Sequence, residues 1–180
     1  MAKVLISGGT GSIGSLMADF LHQRGHEVGL LSRSKHNGGA YKTYQWNIEE
    51  NYLDPEALKS CEYIIHLAGA GIADKKWTAE RKKEIIESRV LSTDLLYNKV
   101  NEHKTPLKAF ISASAVGYYG QLTSDRIFNE EDKSANDFVG KTCFLWEQSA
   151  ERFEKLGIRT VRLRIGVVLM DKGGALEKMA

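Results

Sequence analysis

Gly8-Gly9-Thr10-Gly11-Ser12-Ile13-Gly14 is the stretch on which the fold turns. It satisfies two glycine spacings at once, G-x-G-x-x-G from Gly9 and G-x-x-G-x-x-G from Gly8. Before it, Lys3–Ser7 is a short apolar run of buried-strand type. After it, Ile13, Leu16, Met17, Phe20 and Leu21 recur at the spacing of one helix face, and Gly25 supplies a stop. The glycines therefore lie in a strand-to-helix turn. The early ones permit a bend that side chains resist, Gly11 lets backbone come close to a ligand, and Gly14 lets the helix pack on the strand. A helix that starts there presents open N–H groups and a partial positive charge, which suits phosphate.

The same alternation continues outward. Glu27–Ser32 reads as a second strand, residues 41–46 as a third and residues 63–67 as a fourth, the last ending in Ala68-Gly69-Ala70-Gly71. Asp54-Pro55-Glu56 has the form of a helix start, with Asp54 as cap and Pro55 at the first helical position. Thr78 opens a long helix whose predicted inner face carries Ile86, Val90, Thr93, Tyr97 and Val100. Residues 108–114 form a fifth strand, 117–138 a turn-rich acidic loop, 141–156 a helix, and 158–165 a sixth strand. Strands alternating with helices imply right-handed crossovers and a parallel sheet. The expectation is one α/β domain over 1–180, a doubly wound Rossmann sheet in the order 3-2-1-4-5-6, which binds a dinucleotide at its phosphate loop.

The residues after the second strand bear on which dinucleotide. NAD sites place a carboxylate about twenty residues past the loop to accept from the ribose hydroxyls. Here the strand runs into Ser32-Arg33-Ser34-Lys35, without a carboxylate. Arg33 can grip a 2′-phosphate that a carboxylate would repel, so the expected cofactor is NADP. The plainer reading makes Arg33 and Lys35 exposed loop charges. A net charge of +2 gives no argument for a nucleic-acid partner or a membrane surface. Val4-Leu5-Ile6 is too short for a leader or a span, and Cys61 and Cys143 make neither a disulfide framework nor a metal spacing. A reducing cytoplasm and no metal are expected.

Several segments together resemble the extended short-chain dehydrogenase/reductase superfamily, in its NAD-dependent epimerase/dehydratase branch. They are Ser7 through Gly14, Leu67-Ala68-Gly69, Ile72-Ala73-Asp74-Lys75-Lys76-Trp77-Thr78, Ser112-Ala113-Ser114-Ala115-Val116-Gly117-Tyr118-Tyr119-Gly120, and Trp146-Glu147. The last three are similar to an atypical subfamily carrying nucleoside-sugar-epimerase and NADP-dependent-oxidoreductase labels. The resemblance implies that Ser32 and Arg33 meet the 2′-phosphate and that Leu67 and Ala68 lie on the adenine-ribose side. It further implies Ser112 and Ala113 near the nicotinamide half, backbone at Val168 beside the carboxamide, and Ser114 as the active-site serine. Glu84 is near the cofactor in such relatives, although helix periodicity here turns it away from the sheet.

The superfamily's Tyr-x-x-x-Lys pair, in which lysine lowers the tyrosine pKa for proton exchange, is missing. Counting back from Glu147, its positions hold Val139 and Cys143. Tyr118 or Tyr119 could serve as the acid, with Lys75 or Lys76 as the neighbouring cation, or both could be aromatics packed over the cofactor. Cys143 reads as a nucleophile or a small buried thiol, and His66 as a base or a satisfied core histidine. Arg89 flanks the inner face of the long helix, where a charge is costly unless paired, and is expected to hold the cofactor or the loop around it. Relatives continue past the sixth strand into a lobe over the substrate, so that lobe is expected to be largely absent here. Leu176 and Met179 would then form an apolar patch, exposed or buried in a homodimer. Two functions stand: an NADP(H)-dependent oxidoreductase or epimerase-like enzyme acting on a small molecule through an atypical acid/base set, or a non-catalytic module that senses nicotinamide cofactor.

Overall fold

The computed structural model describes residues 1–34, 39–121 and 125–169. Lys35 and the segment carrying Leu176 and Met179 lie outside the described residues.

Strand β1, Lys3–Ser7, is buried along almost its whole length, as a parallel strand covered on both faces must be. It pairs in parallel with β2, Glu27–Ser32, on one side and β5, Tyr63–His66, on the other. Beyond β2 come β3, Lys42–Asn47, and the two-residue β4, Tyr52–Leu53. Beyond β5 come β6, Ala109–Ala115, and β7, Arg159–Ile165. The sheet order is β4-β3-β2-β1-β5-β6-β7. The order expected for six strands is present, and the addition is β4, which turns back antiparallel on β3 with Trp46 opposite Leu53 and Asn47 opposite Tyr52. Asn47 makes that turn by accepting the amide hydrogens of Glu49 and Glu50 on its side-chain oxygen. A strand of two residues leaves no periodic signal, which is why it escaped the pattern reading.

Helix α1, Ser12–Gln23, covers one face, and α3, Ala79–Glu102, with α4, Phe138–Glu151, the other. Between β4 and β5, α2, Pro55–Leu58, is capped by Asp54 accepting from the Glu56 amide. Thr78 and Asp137 cap α3 and α4 in the same way, through the amides of Arg81 and Gly140. The final turns of the helix expected over 141–156 tighten into a 3-10 segment, Arg152–Leu156, ended by Gly157 at φ +74°. The larger core lies under α3 and α4, where Leu5, Ile64, Leu96, Phe110 and Phe153 meet, the last two stacked at 3.7 Å. The smaller one packs Val4, Ile6, Val28 and Leu30 against Ala18 of α1.

The inner face of α3 differs from the expected one. Ile85, Ser92, Thr93, Leu96 and Val100 are buried, while Ile86 and Val90 are only half-buried. Charged residues dilute the apolar stripe, and two polar ones, Ser92 and Thr93, sit inside it because each donates its hydroxyl to a carbonyl one turn back. The expected loop over 117–138 begins inside a 3-10 turn, Val116–Tyr119.

Candidate functional site

Parallel pairing brings the carboxyl ends of β1, β2, β5, β6 and β7 to one edge of the sheet. At β1 the chain reverses through Gly8, at φ +71°, where a Cβ would stand 2.9 Å from the Ala68 nitrogen. Only glycine tolerates both that angle and that contact. The Gly11 amide donates to the Gly8 carbonyl at 3.0 Å, closing the turn. A Cβ on Gly14 would lie 2.2 Å from the same carbonyl oxygen, so the helix can start this close to the strand only without a side chain there. Gly9 packs on Leu30 and does not line the cleft. No side chain caps α1 at Gly11, and its first turn holds no acidic residue, so the positive end of the helix stays open for an anion.

Above this turn lies a cleft of about 480 Å³. Gly8, Thr10 and Gly11 form one side, Ser32, Arg33 and Ser34 the end of β2, and Leu67, Ala68, Gly69 and Ala70 the end of β5. Leu31, Trp46 and Ile48 add an apolar wall, and Glu84 and Ser88 reach in from α3. Glu84 is therefore at the cleft rim and not turned from it. Arg81 pairs with it at 2.7 Å and holds its carboxyl below the usual range. A larger groove of about 740 Å³ between α3 and α4 is lined by Val90, Asp94, Leu145, Arg152 and their neighbours, away from the strand ends.

His66 holds the cleft from beneath. It is fully buried, and burial pushes its pKa down to about 3. Ser92 donates to the Ser88 carbonyl at 2.7 Å and so accepts from His66 Nε2 at 3.1 Å. Nδ1 is then left to accept from the Ser7 hydroxyl at 2.5 Å. This neutral ring ties the residue before the phosphate loop to β5 and α3. Arg89, also on α3, donates through Nη1 to the carbonyls of Ala70 at 3.0 Å and Ile85 at 2.9 Å, so it grips the loop after β5.

The β6–β7 end is built differently. Ser114, opposite Arg164 in the ladder, donates its hydroxyl to Glu147 Oε1 at 2.6 Å. Arg164 binds both oxygens of Glu147 at 2.9 Å, donates to the Tyr119 hydroxyl at 2.7 Å and lies 3.6 Å from the Tyr118 ring centre. Glu147 keeps Arg164 charged well above the ordinary arginine range. The cation at Tyr118 is thus Arg164, in place of the expected Lys75 or Lys76. Burial raises the Cys143 thiol, and a Cβ on Gly117 would meet the Val139 side chain at 2.4 Å. Both residues are core packing. Ser112 and Ala113 are buried in β6, and Ser112, Ala113, Ser114, Tyr118 and Val168 lie outside the lining of the 480 Å³ cleft, as do Ser12, Ile13, Gly14 and Arg89. Among the described residues no three of His, Cys, Asp and Glu gather as a metal site, and no helix is long and apolar enough to cross a membrane.

The pattern reading missed Leu31, Ser34, Trp46, Ile48, Ala70 and Ser88 in the cleft, and Arg164 with its Glu147 partner at the β6–β7 end. Trp46 had a signal: it closes a strand whose carboxyl end must share the edge with the phosphate loop. The alternation Arg162-Leu163-Arg164 in the last strand was a second, since an arginine set opposite Ser114 needs an acceptor.

Residues 4–164 match the sequence pattern of the NAD dependent epimerase/dehydratase family. An epimerase family protein of Mycobacterium bovis is 34% identical over 179 residues, which are 99% of this chain and 58% of that protein. Among solved structures, the human epimerase family protein SDR39U1 (isoform 2) with NADPH superposes with a TM-score of 0.80 at 31% identity, over 98% of this chain and 58% of that one. A nucleoside-diphosphate sugar epimerase from Corynebacterium glutamicum gives 0.83 at 34% identity, over 99% of this chain and 36% of that one. The chain spans less than three fifths of the length of these relatives.

Proposed function

The chain belongs to the NAD dependent epimerase/dehydratase family, and from that premise we propose that it binds NADP(H) and acts as an epimerase-like oxidoreductase with an altered proton-transfer set. The observation that carries the reading is the cleft itself, in which an uncapped helix start, a turn that tolerates no Cβ and Arg33 converge on one volume. Gly8, Thr10, Gly11 and the first amides of α1, at Ser12, Ile13 and Gly14, would hold the pyrophosphate. Ser32 and Arg33 would hold the 2′-phosphate, and Leu31, Trp46, Leu67 and Ala68 an apolar adenine-ribose side. The human relative solved with NADPH supports the phosphorylated form. When bound, the nicotinamide supplies reversible hydride transfer.

The chain's own part is to orient and to move a proton. Ser114 has given its hydroxyl hydrogen to Glu147, so its oxygen can accept but not donate. Tyr119 is held by Arg164 and in turn donates to the Asn129 carbonyl at 2.8 Å. Tyr118, whose ring packs against Arg164 and Tyr119 and whose hydroxyl has no hydrogen-bond partner among the described residues, is left as the side chain to exchange a proton with substrate. Titration with NADPH and NADH, followed by NADPH oxidation with carbonyl compounds and sugar nucleotides, tests the reading. Equal affinity for the two cofactors removes the NADP assignment. Substrate-dependent oxidation that persists in Tyr118→Phe removes that tyrosine.

A cofactor-sensing module without turnover is the second reading. It is favoured by one observation, the closed Ser114–Glu147–Arg164 network, and binding of NADPH with no accelerated oxidation by any substrate supports it.

A further inference from the structure

Arg162 and Arg164 lie two residues apart on β7 and do different things. Arg162 makes a plain surface pair, a single contact of 3.1 Å with Glu154. Arg164 uses four of the five N–H groups a guanidinium carries. Nε and Nη2 take the two oxygens of Glu147, while Nη1 donates to the Tyr119 hydroxyl at 2.7 Å and to the Glu130 carbonyl at 3.2 Å. A planar fork held on one side by a carboxylate is fixed in direction, so Glu147 aims the remaining arm. An ion pair kept for stability alone needs no such arm, since a well-packed apolar pair serves as well.

What that arm reaches is a folded loop, residues 126–137. The Asn129 carbonyl accepts from Tyr119, Phe128 stacks on the Tyr119 ring at 4.8 Å, and the Ala135 amide donates to the Tyr118 carbonyl at 2.8 Å. Within the loop, Asp132 accepts from Arg126 and from the Asn129 amide, and the Asn129 side chain accepts from the Glu131 amide. Asp137 closes it by accepting from the Gln121 amide at 2.9 Å. The loop thus carries its own shape, and its side-chain ties to the rest of the protein gather at Tyr119 and Arg164. We propose that Arg164 is a positioning residue, which fastens loop 126–137 to the Tyr118–Tyr119 turn and so holds the Tyr118 ring, 3.6 Å from the same guanidinium, in place for substrate. Its part in the chemistry rests on Tyr118 as the proton-exchanging side chain; the fastening does not.

Three variants of the full chain test it. Tyr119→Phe cuts the link but leaves the Glu147–Arg164 pair and the ring stack. Arg164→Lys keeps the charge without the planar fork, and Glu147→Met with Arg164→Met removes the whole device at similar volume. Amide hydrogen exchange reads the loop, titration with NADPH reads the cofactor, and NADPH oxidation with phenanthrenequinone or sugar nucleotides reads the chemistry. Exchange over 126–137 should quicken roughly tenfold in Tyr119→Phe and further in the double variant, with the amides of β1 and β5 unchanged. NADPH affinity should hold in all three. Turnover should fall roughly tenfold to a hundredfold in kcat with KM little moved, and Arg164→Lys should lie between. If no protein, the unaltered chain included, turns over, quickened exchange upholds the fastening and it is the Tyr118 reading that fails. Quickened exchange with kcat unaltered overturns the positioning role. Unchanged exchange over 126–137 in a folded Tyr119→Phe overturns the proposal, whatever the double variant does.

Discussion

The two halves of the sheet's carboxyl edge follow opposite rules. At the ends of β1, β2 and β5, donors are left open: α1 has no capping side chain, and Arg33 has no carboxylate partner among the described residues. At the ends of β6 and β7, donors and acceptors are matched, with Glu147 receiving Ser114 and both arms of Arg164. A solvent-exposed array of donors bonds water in the free protein and is open to an arriving anion. A closed array stabilises the fold and offers a ligand little. One edge can thus divide binding from rigidity by strand position alone.

That division can be broken from either side. The largest effect is expected from Glu147→Ala, which leaves Arg164 largely buried without its acceptor and should cost about 3–5 kcal/mol in urea unfolding. NADPH affinity should hardly change. Replacing the pair together, Glu147→Met with Arg164→Met, should recover most of the stability, and failure to do so would show that Tyr119 also depends on the arginine. Next comes Arg33→Asp, with the reverse signature. Stability should stay within about 0.5 kcal/mol, as for most exposed sites. NADPH binding should weaken by roughly 1.5–3 kcal/mol while NADH binding does not. Comparable losses for both cofactors would mean that Arg33 does not read the 2′-phosphate.

A pH series separates His66 from both halves. Its pKa is lowered from 6.5 to about 3, so the folded ring is neutral where the unfolded one takes a proton. Its contribution is complete above pH 6.5 and is lost as pH falls toward 3. Near pH 5 the loss should be about 2 kcal/mol. His66→Asn keeps an acceptor for Ser7 without titrating, and should flatten the stability profile between pH 6.5 and 5. The smallest effect is that of Ser114→Ala, about 1 kcal/mol of stability with cofactor affinity untouched. A large loss of NADPH affinity in that variant would move Ser114 to the open half.

The open half was far more legible in the sequence than the closed one. Glycine requirements are local, so Gly8, Gly11 and Gly14 announce their turn within seven residues, and the end of β2 follows by counting. Cap residues such as Asp54 and Thr78 are legible for the same reason. The closed half depends on partners far apart in the chain: Ser114 and Glu147 are 33 residues apart, and Glu147 and Arg164 are 17 apart on different elements. No periodicity connects them. Glu84 is exposed, away from the sheet as its helix phase predicts, and still lines the cleft. Helix phase predicts which side faces the sheet, but the cleft wraps over the end of the sheet and reaches the helix flank.

The central place of β1 has a consequence in time. Its register with β2 is available early, but its other neighbour arrives late, since Ser7 and His66 are 59 residues apart in the chain. At a synthesis rate of roughly 5–20 residues per second, a nascent β1 waits about 3–12 s with one edge unpaired. That edge belongs to Val4-Leu5-Ile6, all buried in the finished sheet, and for those seconds it is free to pair with another chain. The half of the molecule that keeps its polar groups open for a ligand is thus also the half whose backbone is open longest during birth. Yield from a slowly translating ribosome should be most sensitive to insertions in surface loops between residues 8 and 63 that leave the finished fold unaltered but lengthen the wait.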